Sequence, residues 1–403
     1  MVTAHLAGLV LVGLSWLLAL GWLWLAVAAL RGMPSIPDLT RIDPGSLPPL
    51  TGGADAHLTV IVPACNEEES IEASLRSLLA STGLRLQIVA VDDRSSDRTG
   101  AILDQVAAEA ALAGGLHRLR VIHLTELPAG WLGKPHAMAL AAEQAASPWL
   151  LFTDGDVLFD PRVLALSLRH ALAVQADHLV LLPSLILKTA CEGAMLAAMN
   201  SLTQWTIRLW KVSDPRARDF VGVGGFNLVR RAVYERLGGF EALRMEVMDD
   251  MRLGWMIKRA GFAQRVAAGP GLIRIRWLQG AFGVVGLAEK NAFAVYRFRL
   301  GLALLACFGV AVLVALPLAA PAAGGWASVA GVATYLSIGL AYFANRRVTQ
   351  VSFWLAVFFA PAAAIVLFAF LRSIFLTLVR NGVVWRGTHY PLPELRRHAG
   401  RGW

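Results

Sequence analysis

Charge is what this 403-residue sequence has least of. Only 16% of its residues are charged, against about 25% in ordinary soluble domains. The shortage is concentrated. No formal charge stands between His5, taken as neutral, and Leu30, and none between Leu300 and Asn345. Acidic side chains are scarcer than basic ones, 28 against 37, for a net charge of +9. In a nucleic-acid binder such an excess gathers into one patch interleaved with aromatics. Here it is scattered and flanks apolar runs, so nucleic acid is not an expected partner. The pattern is instead that of the basic cytoplasmic flanks of membrane proteins. Cysteine is equally sparse: Cys65, Cys191 and Cys307 lie far apart. That excludes a disulfide framework or a cysteine metal site and fits unpaired thiols in a reducing compartment.

What is present is apolar length. His5–Leu30 exceeds the roughly 20 residues that cross a bilayer core. It is too long for a signal-peptide core and lacks a basic leader, so an uncleaved anchor over residues 1–31 is expected. Arg31 and Arg41 follow it, which places the next residues in the cytoplasm. Residues 300–371 hold two or three further spans, with a turn at Pro321, Gly324 and Gly325 and a basic corner at Arg346 and Arg347. Counting three spans puts the basic tail, 372–403, outside the cytoplasm. Its arginines (372, 380, 386, 396, 397 and 401) argue for the inside, and the sequence leaves both open. The expected location is a bacterial inner (cytoplasmic) membrane, with the domain at 55–280 in the cytoplasm.

That domain alternates short β-rich runs (Leu58–Val62, Gln87–Val91, Arg120–Leu124, Trp149–Thr153 and His178–Leu182) with helical stretches such as Glu67–Ala80 and Asp97–Ala113. The runs are nearly all apolar, as in parallel strands covered on both faces. An α/β fold with a doubly wound, mostly parallel sheet follows. Ligands of such sheets bind beyond the strands' carboxyl ends.

Four acidic sites stand at or near such ends. Pro63-Ala64-Cys65-Asn66-Glu67 follows the first strand. Asp92 and Asp93 follow the second; adjacent carboxylates repel unless something positive or hydrogen-bonding is bound there, though a plain polar turn accounts for them equally well. Asp97 reads as a helix cap. Thr153-Asp154-Gly155-Asp156 follows the fourth strand. Two carboxylates flanking a glycine can turn toward one divalent cation, Mg²⁺ or Mn²⁺, that shares its remaining ligands with a phosphate. Asp249 and Asp250 open a helix, where acids suit the helix dipole or where one can serve as a general base. Lys134, at a helix start opened by Gly133, can meet a phosphate, although taken alone an ordinary surface lysine accounts for it better.

In this order these sites resemble glycosyltransferase family 2, a family with the GT-A fold and nucleotide-sugar donors. The resemblance covers roughly residues 55–280. It implies donor contacts at Pro63, Asn66, Glu67, Asp92, Asp93, Lys134 and Asp154, a metal motif at Asp154 and Asp156, and a catalytic base at Asp250. Asp249 stands where glutamate is usual. Gly222-Val223-Gly224-Gly225-Phe226 resembles the family's acceptor-side loop, with Gly224 and Gly225 at its centre. The processive synthases' Gln-x-x-Arg-Trp is absent: Ile273 precedes Arg274-Ile275-Arg276-Trp277. The resemblance is therefore to non-processive enzymes, ceramide glucosyltransferase-like or associated with bacterial carotenoids and hopanoids. The terminal Asn381–Tyr390 stretch also looks like those relatives' tails. The implied reaction is inverting and metal-dependent transfer to a lipid or lipid-like hydroxyl. A polysaccharide synthase and a non-catalytic nucleotide-sugar binder are the alternatives.

Arg274 and Arg276 alternate on a candidate strand and so share one face. That face meets either the donor diphosphate or lipid headgroups. Trp205 and Trp210, beside Met195 and Met199, suit either a core helix or an apolar acceptor's entrance. Residues 281–299, carrying Lys290, Arg297 and Arg299, suit an interfacial amphipathic helix.

Overall fold

The computed structural model describes residues 2–50 and 57–399. Residue 1, the start of the expected catalytic domain at 55–56, and Arg401 lie outside them. The chain divides into two compact units.

The α/β unit comprises residues 36–186, 211–276 and 384–403. Its strands are β1 (Leu58–Ala64), β2 (Leu86–Asp93), β3 (Arg118–Leu124), β4 (Trp149–Phe152), β5 (Leu158–Phe159), β6 (His178–Leu182), β7 (Ser184–Leu185), β8 (Asn227–Arg230), β9 (Gln264–Ala268) and β10 (Ile273–Ile275). Seven of them form one sheet in the order β3-β2-β1-β4-β8-β6-β9. It is parallel except for β8, which runs antiparallel to both β4 and β6. Strand periodicity builds the two cores. Leu58, Val60 and Val62 of β1 and Leu151 of β4 pack into one layer, while Ile61, Leu150 and Phe152 point into the other. Burying each such side chain stabilises by about 1.5–3 kcal/mol. The strand order reverses direction at β1 and β4, whose ends carry Pro63 and Thr153.

The second unit comprises residues 1–35, 187–210 and 277–383. It holds four helical runs long and apolar enough to cross a membrane: Gly8–Ser35, Leu300–Ala323, Gly325–Thr349 and Phe353–Val379. Leu305, Phe308, Leu336 and Phe375 are each at least 64% exposed, the surface expected where lipid rather than water is the solvent. The last run extends past Arg372, where the change in charge suggested a stop. Glu289, on the helix Gly283–Val295, accounts for this: it pairs with Arg372 at 2.5 Å and with Arg380 at 2.6 Å. The Gly283–Val295 helix ends before Arg297 because Arg297 and Phe298 take φ of +56° and +54°. Arg297, expected on the interfacial amphipathic helix over 281–299, lies beyond the helix's end and is buried.

Candidate active site

The loops beyond β1 and β2 are sewn together by their own polar residues. Asn66 sits at φ +55°; its Oδ1 accepts from the N–H of Ser96 at 2.8 Å, and its own N–H donates to Ser95 Oγ at 3.0 Å. The Glu67 N–H donates to Thr99 Oγ1 at 2.8 Å. Asp97 accepts from the N–H groups of Thr99 at 2.9 Å and Glu68 at 3.2 Å; the N-cap position of the helix that follows is Arg98, so Asp97 stands one residue before it. Pro63 and Ala64 lie in register with Val91 and Asp92.

The Asp92–Asp93 pair is not left for a ligand to neutralise. Asp92 accepts from the Ser95 N–H at 3.2 Å and faces His123 Nδ1 at 3.0 Å. Asp93 pairs with Arg94 at 2.7 Å. His123 also meets Asp104 at 3.0 Å, and hydrogen bonds to Asp104 and Asp92 hold its pKa above the usual imidazole value. His123 and Arg94 carried no sequence signal as site residues: one is an ordinary β3 residue and the other follows an acid.

The third and fourth acidic sites meet at Lys134. That residue stands in the first turn of the helix Gly133–Glu143. Its ammonium lies 2.7 Å from Asp154 Oδ1 and 3.5 Å from Asp249 Oδ2. Burial alone would lower its pKa, but the charges of Asp154, Asp249 and Asp250 raise it instead. Asp249 and Asp250 open the helix Asp249–Arg259. Asp250 accepts from the N–H of Met251 at 2.7 Å. Its pKa is pushed up to about 6, by burial first and then by Asp249. A small cavity lined by Lys134, Thr153, Gly224, Asp249 and Asp250 lies between them.

The glycine loop makes this convergence possible. A Cβ on Gly224 would collide with Asp154 Oδ2, and one on Gly222 with the carbonyl of Asp250. The loop is fixed from behind by buried polar residues. Asn227 Nδ2 donates to Val223 O at 2.8 Å, and Gln264 Nε2 donates to Val221 O at 3.0 Å. His178 Nδ1 accepts from Gln264 Nε2 at 2.8 Å, so Nε2 carries the proton toward Asn227 Oδ1 at 3.2 Å. Burial lowers the His178 pKa to about 4, which keeps this link neutral.

Among the described residues Asp156 makes no ion pair, though the charge of Lys134 acts on it and lowers its pKa in part. Burial and the charges of Asp154 and Glu67 push its pKa up to about 7. A carboxyl group so placed is short of positive charge, and with Asp154 it makes a pair of hard oxygen ligands. These residues fit a Mg²⁺ or Mn²⁺ ion that takes its other ligands from phosphate and water. Among the described residues no three His, Cys, Asp or Glu side chains converge on one point.

Other predicted residues lie elsewhere. Arg274 is exposed on β10, opposite Leu158 and Ser184, and its charge acts on Asp160. Arg276 falls just past the strand, so the shared-face reading does not describe it; its Nε is buried without a hydrogen-bond partner among the described residues. Trp205 and Trp210 belong to the helical unit. Trp205 meets Trp22 edge-on, with ring centroids 5.2 Å apart, and Trp210 packs against Gly32.

The C-terminal segment was not expected at the site at all. Arg386 pairs with Glu67 at 2.5 Å. The Tyr390 hydroxyl accepts from the Gly133 N–H at 3.3 Å, and Arg94 reaches Thr388 at 3.5 Å.

The sequence model of Glycosyl transferase family 2 matches residues 59–238. A 4,4'-diaponeurosporenoate glycosyltransferase of Staphylococcus haemolyticus (strain JCSC1435) is 23% identical over 242 residues, 57% of this chain and 59% of that protein. Its counterpart in Staphylococcus aureus (strain MRSA252) is 24% identical over 228 residues, 56% of this chain and 57% of that protein. The match thus spans less than two thirds of these relatives' length. Among solved structures, the mannosyltransferase PcManGT from Pyrobaculum calidifontis, in complex with GDP-Man and Mn²⁺, has a TM-score of 0.57 at 18% identity, covering 91% of this chain and 99% of that one. At that identity the likeness is one of fold.

Proposed function

We propose that this chain, which carries a glycosyl transferase family 2 domain over residues 59–238, transfers one sugar from a nucleoside-diphosphate sugar to a lipid or lipid-like hydroxyl, with inversion. The observation that carries the reading is the convergence of Asp154, Asp249 and Asp250 on Lys134 at one end of the sheet. The similar mannosyltransferase binds GDP-Man and Mn²⁺, and the curated relatives are named 4,4'-diaponeurosporenoate glycosyltransferases. The four apolar helical runs suit an acceptor dissolved in a membrane.

In this mechanism Asp250 takes the proton of the acceptor hydroxyl. The oxygen bonds to the sugar's anomeric carbon as the bond from that carbon to the diphosphate breaks. A pKa raised to about 6 makes Asp250 a stronger base than an ordinary carboxylate while leaving it ionised near neutrality. The Met251 N–H donates to its carboxylate, and the charge of Lys134 opposes its protonation. Asp154 and Asp156 would hold a divalent cation, which supplies positive charge beside the leaving diphosphate. Asn66, Glu67, Asp92 and Asp93 would frame the donor, and Gly224 and Gly225 would let the acceptor approach.

Membranes carrying the protein, incubated with a panel of radiolabelled nucleotide sugars, should yield one labelled lipid whose mass has grown by a single sugar. A long polymer would replace this reading with a synthase. Labelled sugar that appears only as free hydrolysis product would remove the lipid acceptor.

A further inference from the structure

The segment after the last apolar helix returns to the carboxyl end of the sheet. Strands Gly382–Trp385 and Thr388–Pro391 pair as a hairpin, and residues 384–403 belong to the α/β unit. The two residues of its turn, Arg386 and Gly387, have φ of +47° and +79°. A tight hairpin turn wants left-handed residues there, and asparagine–glycine is its favoured pair. Arginine in the left-handed region costs about 1–2 kcal/mol. Hairpin formation alone gives no reason for arginine at this position.

The side chain supplies one. Its guanidinium is about two-fifths exposed and pairs with Glu67, and its charge acts on Cys65 and Asp154. The ion pair therefore places it at the Asn66–Glu67 turn after β1, within reach of the charge of Asp154. The rest of the hairpin is fastened to the neighbouring loops, through Thr388 to Arg94 and through Tyr390 to Gly133, the residue before Lys134. Every anchor belongs to a loop that frames the donor. One monodentate carboxylate uses a small part of a five-donor planar group whose geometry matches phosphate oxygens.

We infer that Arg386 is a ligand of the donor's diphosphate and that the 382–391 hairpin is a wall of the donor site. Glu67 holds the guanidinium when the site is empty and gives it up to the phosphates. The inference rests on the nucleotide-sugar reading above.

The test uses the full-length protein in detergent with Mn²⁺. UDP and GDP, and uridine and guanosine as their phosphate-free counterparts, are titrated by calorimetry against wild type, R386Q and R386K. Deuterium exchange over 382–391 reports whether the hairpin stays docked. R386Q should weaken the better-binding diphosphate by about 10- to 100-fold, the range of a charge-assisted hydrogen bond. Nucleoside affinity and hairpin protection should not change, and R386K should recover only part of the loss because it lacks the planar fork. Undiminished diphosphate affinity in R386Q overturns the inference and leaves the reading of the site intact. So does an equal loss for nucleoside and diphosphate accompanied by loss of hairpin protection, since the hairpin would then be only a strap. Failure of the wild type to bind either diphosphate overturns both.

Discussion

The ammonium of Lys134 lies 2.7 Å from Asp154 and 3.5 Å from Asp249, so one cation joins the acids after β4 to those opening the Asp249–Arg259 helix. Lys134 is only 20% exposed and Asp249 7%. Removing a partner from so buried a cluster leaves charge uncompensated. K134Q should therefore lower stability by about 1–3 kcal/mol near neutral pH. The loss should be smaller near pH 5, where Asp156, with a pKa of about 7, and Asp250, with one of about 6, are already protonated and repel less. Thermal unfolding of wild type and variant at the two pH values checks both statements.

The acid limb of the rate profile should report Asp250. The base must be ionised, and burial and Asp249 raise its pKa to about 6 while Lys134 and the Met251 N–H lower it. Below that pH, kcat/KM should fall about tenfold per unit. Any K134Q activity that remains should show the limb moved to higher pH, because the charge that opposes protonation is gone. Steady-state rates across the range, at saturating Mn²⁺, decide it.

The glycine loop should tolerate no side chain. In G224A the new methyl collides with Asp154 Oδ2, and in G222A with the carbonyl of Asp250. The second obstacle is backbone and cannot swing away. Misplacing a reacting group by about 1 Å costs on the order of 100-fold in rate. G222A should show at least that loss with an unchanged far-ultraviolet circular dichroism spectrum.

His123 should make stability depend on pH in one direction. Its pKa is raised in the folded state by hydrogen bonds to Asp104 and Asp92. Its contribution is then full below the unfolded histidine pKa and lost as pH rises through the higher folded value. The gap in melting temperature between wild type and H123Q should narrow from about pH 6 to about pH 9. At 42% side-chain exposure the effect is screened by solvent and salt, and added salt should shrink the gap at the lower pH.

The tail should lie on the same side of the membrane as the catalytic domain. Residues 36–186 and 384–403 belong to one compact unit joined at Glu67 and Arg386. The Gly283–Val295 helix, at 13 residues, is too short to cross. An even number of crossings must therefore separate Leu300 from Val384. The Phe353–Val379 run, with Arg372 ion-paired to that short helix, is the one expected not to cross. A C-terminal green fluorescent protein fusion should be bright and an alkaline phosphatase fusion inactive; the opposite pattern contradicts this topology.

Much of this was legible in local pattern. Apolar strands show as runs, and Asp154, Asp156, Asp249 and Asp250 stand at element ends, where the sequence singles them out. What was illegible depends on chain distant in sequence. Arg94 and His123 neutralise the Asp92–Asp93 pair through side-chain geometry that no spacing encodes. Arg386 reaches Glu67 across 319 positions. The charge at Arg372 read as the end of an apolar run, because its partner Glu289 lies 83 residues away.

The most direct test of the account is D250N, assayed beside wild type in one purified preparation for donor affinity and for sugar transfer to extracted lipid. We expect donor affinity within about threefold of wild type and turnover lower by about 10²–10⁴-fold, the contribution of a positioned general base. Transfer by D250N at the wild-type rate would contradict the assignment of Asp250 and the mechanism built on it.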